Sequence, residues 1–178
     1  MSNTREIRNL VLIGFMGTGK SSVGRLVAEA LHFTFLDTDE VIVSRAGKPI
    51  ADIFAQEGEA AFRERENLLV EELAQRDKTV IATGGGLPMN PANFASLKHH
   101  ALIVCLWASV DKIWERVRNQ NHRPLLKDPD PQAKIRSLLE VRGPVYKQAD
   151  VLMNTEVRSC REVAQQVIHQ FHMARSKK

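Results

Sequence analysis

Gly14-Phe15-Met16-Gly17-Thr18-Gly19-Lys20-Ser21 is the stretch that decides the fold. It fits the phosphate-binding pattern G-x-x-x-x-G-K-[ST] at every fixed position. The residues just before it, Leu10-Val11-Leu12-Ile13, form an apolar run that reads as a buried strand. Val23, Leu26, Val27, Ala30 and Leu31 follow at helical spacing, so the loop joins a strand to a helix of about Lys20 to His32. That context is what the chemistry requires. Backbone N–H groups of a glycine-rich loop converge on phosphate oxygens at the positive end of the helix. Lys20 then reaches the outer phosphates, and the Ser21 hydroxyl is placed to ligate Mg²⁺.

Working outward, apolar runs recur at Asn9–Ile13, Thr34–Leu36, Thr79–Ala82, Ala101–Trp107 and Val151–Met153. Amphipathic helical patterns separate them. Strand and helix alternating along the whole chain predict an α/β fold, a parallel sheet with helices on both faces. The Ala101–Trp107 run is apolar almost throughout, which predicts a central strand buried on both sides.

Residues at the carboxyl ends of parallel strands face the ligand crevice. Three such ends carry chemistry. Leu36-Asp37-Thr38-Asp39 ends the second strand with two carboxylates, which point the same way if the chain stays extended. Asp37 is placed to hold Mg²⁺ and Asp39 to accept a bond from a substrate hydroxyl; capping of a helix from Glu40 to Arg45 is the competing reading. Ala82-Thr83-Gly84-Gly85-Gly86 ends the third strand with three glycines, where a backbone can lie flat against a ligand. A polar segment from Asn119 to Asp130 lacks periodicity and reads as a lid, with Arg123 its charge donor to a transferring phosphate. Arg63 and Glu66 share a helix face, and from spacing alone they form a surface pair.

Bulk properties narrow the class. The 178 residues suit one domain with a real core, and 43% hydrophobic and 26% charged residues are ordinary for a globular protein. A net charge of +4 suits anionic small molecules, while only 6% aromatic residues argue against a nucleic-acid surface. The polar stretch Met1 to Arg8 is no signal peptide, and no apolar run spans a membrane. Two separated cysteines, Cys105 and Cys160, suggest no disulfide and fit a reducing cytoplasm. The six histidines carry no metal signature, and no heptad run appears, so a monomer is expected.

Taken in order, Gly14–Ser21, Leu36–Asp39, Phe62-Arg63 with Glu66, Ala82–Gly86, Arg123-Pro124-Leu125-Leu126 and Arg142-Gly143-Pro144-Val145-Tyr146 resemble the shikimate kinase family over nearly the whole chain. The resemblance implies a P-loop kinase with a lid: one domain over 1–178, three layers, and five parallel strands in the order 2-3-1-4-5, with the lid at roughly 119–131. It implies transfer of the ATP γ-phosphoryl group to the 3-hydroxyl of shikimate, with Mg²⁺, in aromatic amino-acid biosynthesis. Lys20, Asp39 and Arg123 are the catalytic set it implies. Its nucleotide set is Gly17, Thr18, Gly19, Lys20, Ser21, Ser22, Arg123 and Arg158, with Arg116 or Arg118 stacked on adenine. Shikimate falls to Asp39, Arg63, Gly84, Gly85, Gly86 and Arg142, and the metal to Ser21 and Asp37. Cys160, where the family often has proline, and Leu87-Pro88-Met89, after the triple glycine, depart from the usual pattern. Another small-molecule kinase, acting on gluconate or a nucleotide, is the nearest alternative. A nucleotide-binding switch or a non-catalytic paralogue is a further one; the missing Asn-Lys-x-Asp pattern weakens the switch, and intact Lys20, Asp37, Asp39 and Arg123 weaken the paralogue.

Overall fold

A computed structural model describes residues 5–119 and 128–176. Five strands, β1 (Asn9–Ile13), β2 (Thr34–Asp37), β3 (Thr79–Ala82), β4 (Ala101–Trp107) and β5 (Val151–Asn154), form one parallel sheet in the order β2-β3-β1-β4-β5. The expected order therefore holds. β1 rather than β4 is the middle strand, and the outer end of β4 surfaces at Trp107, which is 45% exposed.

Among the described residues, seven α-helices connect and cover the strands: α1 (Lys20–Leu31), α2 (Thr38–Ala46), α3 (Ile50–Leu73), α4 (Pro91–His100), α5 (Val110–Val117), α6 (Pro131–Tyr146) and α7 (Cys160–Ser176). Side chains alternate across a strand, and the core divides accordingly. Val11, Ile13, Ile81, Ile103 and Cys105 pack on one face against α3, α4, α5 and α6. Leu10, Leu12, Val80, Leu102 and Val104 pack on the other against α1 and α7. All four residues from Leu10 to Ile13 are fully buried, which is why β1 reads as a continuous apolar run. Gly24 lets α1 sit close on the sheet, since a Cβ there would lie 2.5 Å from the Phe35 ring.

Helix boundaries differ from the sequence pattern in instructive ways. α2 begins at Thr38, two residues before the expected Glu40, so the chain does not stay extended through Asp39. Asp37 is the N-cap, accepting from Asp39 N at 3.0 Å and Glu40 N at 3.4 Å. α3 runs across Gly58, whose φ of 85° kinks it. α7 extends from Cys160 to Ser176, longer than the Val163–Met173 stripe, because Ser159 and Glu162 cap its start reciprocally.

The amino ends of the strands are tied by buried polar groups. Asn9 Oδ1 accepts from Thr79 N, and Asn9 Nδ2 donates to Arg76 O and faces His100 Nδ1 at 3.0 Å. With the amide orientation fixed by Thr79, His100 Nδ1 is an acceptor and the ring is neutral. Burial, with Arg8 and His99 nearby, pushes the His100 pKa below its usual 6.5.

Candidate active site

Among the described residues, the expected site residues gather at the carboxyl edge of the sheet. The loop after β1 wraps Gly14–Gly19 with positive φ at Gly14, Gly17 and Gly19. Gly14 has no room for a side chain, because a Cβ would lie 2.2 Å from Leu106 O. Gly19, at φ 94°, is the N-cap of α1 and makes no side-chain cap bond, and the first turn of α1 carries no acidic residue. A helix N-terminus with no acidic side chain in its first turn favours an anion. Thr18 is buried, its hydroxyl donating inward to Phe15 O at 2.8 Å, so only its backbone is offered to a ligand. Lys20 Nζ donates to Gly14 O and Phe15 O at 3.0 and 2.9 Å, folded along the loop it follows.

A cavity of about 410 Å³ opens over this loop. Gly17, Thr18, Gly19, Lys20, Ser21 and Ser22 line its floor, and Arg116, Thr155, Arg158 and Cys160 line its walls. The guanidinium of Arg116 bridges both sides, donating to Gly17 O at 3.1 Å and to Thr155 Oγ1 at 3.0 Å. Arg118 is instead the exposed C-cap of α5, and Arg116 rather than Arg118 lines this cavity. Arg158 donates to Asn154 O at 3.3 Å. Sequence reasoning does not single out Thr155 or Cys160 for this wall. Thr155 carries one signal, its place just past the carboxyl end of β5.

Ser21 Oγ donates to Asp37 Oδ2 at 2.6 Å. Asp37 is therefore both helix cap and partner of the loop serine; the two readings of it are compatible. A hydroxyl and a carboxylate in contact, beside a phosphate-binding loop, are hard oxygen donors of the kind Mg²⁺ takes alongside phosphate and water.

The second half of the site is the turn Gly84-Gly85-Gly86. None of the three has positive φ. Neighbouring side chains press on each position: a Cβ on Gly84 would lie 2.4 Å from Asp39 Oδ1, on Gly85 2.9 Å from Arg142 Nη1, and on Gly86 2.7 Å from Arg63 Nη1. Asp39 from α2, Arg63 from α3 and Arg142 from α6 thus converge on one turn. The turn is itself held by Gly84 N donating to the buried Thr38 hydroxyl at 2.9 Å and by Tyr146 donating to Gly85 O at 3.1 Å.

Arg63 is more than the surface pair its spacing predicts. It binds Glu66 at 2.7 Å and Glu59 at 2.9 Å, and the Glu66 side chain is only 2% exposed. Burial pushes the Glu66 carboxyl up, and the Arg63 guanidinium opposes that shift. Arg142 lies over Phe15, its Cζ 5.4 Å from the ring centroid. Every expected site residue among those described falls in one of the two halves; Arg123 and most of the lid at 119–131 lie outside the described residues.

Comparison with known proteins agrees with this geometry. The shikimate kinase family model matches residues 16–172. A shikimate kinase of Thermodesulfovibrio yellowstonii is 43% identical over 165 residues, 93% of this chain and 95% of that one. One from Trichormus variabilis is 48% identical over 151 residues, 85% of this chain and 83% of that one. A solved shikimate kinase from Acinetobacter baumannii, in complex with shikimate, superposes with a TM-score of 0.89 at 37% identity, covering 98% of this chain and 97% of its own. The matched span contains both halves of the site from Gly17 to Arg158, and the chain belongs to the shikimate kinase family.

Proposed function

We propose a division of labour among the site residues for the reaction of this family, ATP-dependent phosphorylation of the 3-hydroxyl of shikimate. The enzyme uses ATP with Mg²⁺ and serves aromatic amino-acid biosynthesis. The observation that supports the assignment most is the convergence of Arg63 and Arg142, from different helices, on a glycine turn beside Asp39. Two guanidinium groups meeting at one point suit a carboxylate, which they bind through planar, charge-assisted hydrogen bonds. Gly84, Gly85 and Gly86 let Asp39, Arg142 and Arg63 close on one stretch of backbone beside the substrate ring.

Asp39 orients the 3-hydroxyl and takes its proton late in the transfer. The cavity over the glycine loop holds the nucleotide: Gly17 to Ser22 surround the phosphates, and Arg116 and Arg158 flank the base. Lys20 leaves its loop carbonyls for the phosphates as they arrive. Ser21 and Asp37 would hold Mg²⁺, which would supply charge screening for the phosphates. Arg123 closes from the lid onto that group, where positioning and charge stabilisation dominate the chemistry. The residues act within one domain spanning 1–178, with a lid at roughly 119–131, in a cytoplasmic monomer. Among the described residues no helix is long and apolar enough to cross a membrane.

The test is ADP release in a coupled assay with Mg²⁺-ATP. Release that depends on shikimate and is absent with gluconate supports the assignment. Bound ATP with no stimulation by shikimate refutes it.

A further inference from the structure

Tyr146 has no role in the assignments above, yet it stands where the two halves of the site meet. It ends α6 four residues after Arg142, so the two side chains leave the same helix face one turn apart. The ring is buried among the core residues of that face of the sheet, with 6% of the residue exposed. Its hydroxyl donates to Gly85 O at 3.1 Å. A Cβ built on Gly85 would lie 2.9 Å from Arg142 Nη1, 3.7 Å from Gly14 O and 3.8 Å from the Tyr146 oxygen. One backbone position therefore joins the glycine loop, the triple-glycine turn and the end of α6.

The phenol is protonated at neutral pH: burial raises its pKa, with the charge and hydrogen bonding of Arg142 opposing the rise. A neutral hydroxyl has one proton and two lone pairs. The proton is committed to Gly85 O, which leaves the lone pairs for the guanidinium on the preceding turn. Arg63 is fixed by two carboxylates, Glu59 and Glu66. Arg142 lies over the face of Phe15, and its Nη1 and the Tyr146 oxygen both border the Gly85 Cβ position. A neutral phenol beside a guanidinium can orient it without neutralising its charge.

We propose that Tyr146 is a positioning residue for the substrate carboxylate: its hydroxyl links Gly85 to Arg142 and holds the guanidinium at the angle from which it meets the ligand. The proposal rests on the reading of Arg142 as a carboxylate ligand. It makes the last residue of α6 part of substrate recognition without contact to substrate.

The test is Tyr146→Phe, which keeps the ring and removes only the oxygen. The expected result is a rise in the KM for shikimate on the order of tenfold. The KM for ATP stays at its wild-type value, and the melting temperature falls by no more than the few degrees that loss of the bond to Gly85 O costs. Arg142→Ala raises the shikimate KM by itself, and adding Tyr146→Phe to it changes little further, because the two residues act as one unit. If Arg142→Ala leaves the shikimate KM unchanged, the carboxylate reading fails and the proposal falls with it. If Arg142→Ala raises that KM but Tyr146→Phe does not, only the proposal is overturned. It is likewise overturned if Tyr146→Phe raises both substrate KM values together, or if the two effects multiply in the double variant.

Discussion

Replacing Gly86 with alanine separates activity from stability by a route that can be worked out in advance. Gly86 has φ −94° and ψ −22°, a helical conformation open to any L-residue. Alanine there adds no backbone strain and restricts the unfolded chain, which stabilises a protein by about 0.4–1 kcal/mol. The added methyl has one obstacle. It would sit 2.7 Å from Arg63 Nη1, and reaching an ordinary contact of 3.4 Å requires the guanidinium to recede by about 0.7 Å. The end of a long side chain can do this, and Glu59 and Glu66 stand ready to hold it in the displaced position. The cost falls on substrate binding.

A charge-assisted hydrogen bond contributes about 1.5–3 kcal/mol, and 1.4 kcal/mol is tenfold. Loss of one such bond to the shikimate carboxylate lowers kcat/KM for shikimate by about 10- to 150-fold. Steady-state kinetics with each substrate varied in turn, beside a thermal melt, measures all three quantities. The expected pattern is a lower kcat/KM for shikimate, an unchanged KM for ATP, and a melting temperature that is level or higher by a few degrees. In an Arg63→Ala background the same substitution costs nothing further. A kcat/KM for shikimate within twofold of wild type, or a melting temperature several degrees lower, refutes the reasoning.

Three other outcomes follow from the same geometry. Arg116→Ala opens the wall between Gly17 and Thr155, so the KM for ATP rises about tenfold while that for shikimate holds; titrating ATP and shikimate separately checks it. Asp39→Asn keeps a polar group beside Gly84 and lowers kcat on the order of tenfold, whereas a loss of many thousandfold indicates obligatory proton removal. His100 is neutral in the fold with a pKa below 6.5, so its contribution to stability is complete above 6.5 and is lost as the pH falls through its folded value. Melting temperatures between pH 7.5 and 5 therefore fall more steeply for wild type than for His100→Gln, and parallel curves refute this account.

The legible parts of the chain are those in which local sequence carries its own physics. Strands buried on both faces read as apolar runs, and a glycine loop closed by Gly-Lys-Ser needs only its flanking strand and helix to be interpreted. The aspartates of Leu36–Asp39 are legible as a pair but not in their geometry. An extended chain would have aligned them, whereas Asp37 caps α2 and turns Asp39 into the first turn of a helix. Arg63 and Glu66 are less legible still. Spacing places both on one face of α3, but it is silent about what that face meets. Here Glu66 is buried and the guanidinium is turned toward Gly86. Arg142 and Tyr146 share this property, since what they touch begins some sixty residues earlier in the chain.

The triple glycine shows why such features stay hidden and where their trace remains. Read locally, three glycines at the end of a strand signal a backbone lying against a ligand or a flexible turn, and none of Gly84, Gly85 and Gly86 has a positive φ. What a side chain there would displace is Asp39, Arg142 or Arg63, one against each Cβ position, delivered by three helices. The site is thus written in the sequence twice, once as polar side chains scattered over about a hundred residues and once as three adjacent absences. The scattered copy needs the fold to be assembled. The absences mark the assembly point directly, because a run of glycines with no conformational need for glycine implies that other parts of the chain fill the space. Each glycine is paired with a different functional group, so alanine at 84, 85 or 86 perturbs Asp39, Arg142 or Arg63 in turn. A common defect in all three variants would return the turn to its local reading, whereas three distinct kinetic signatures identify it as the surface on which the substrate site is built.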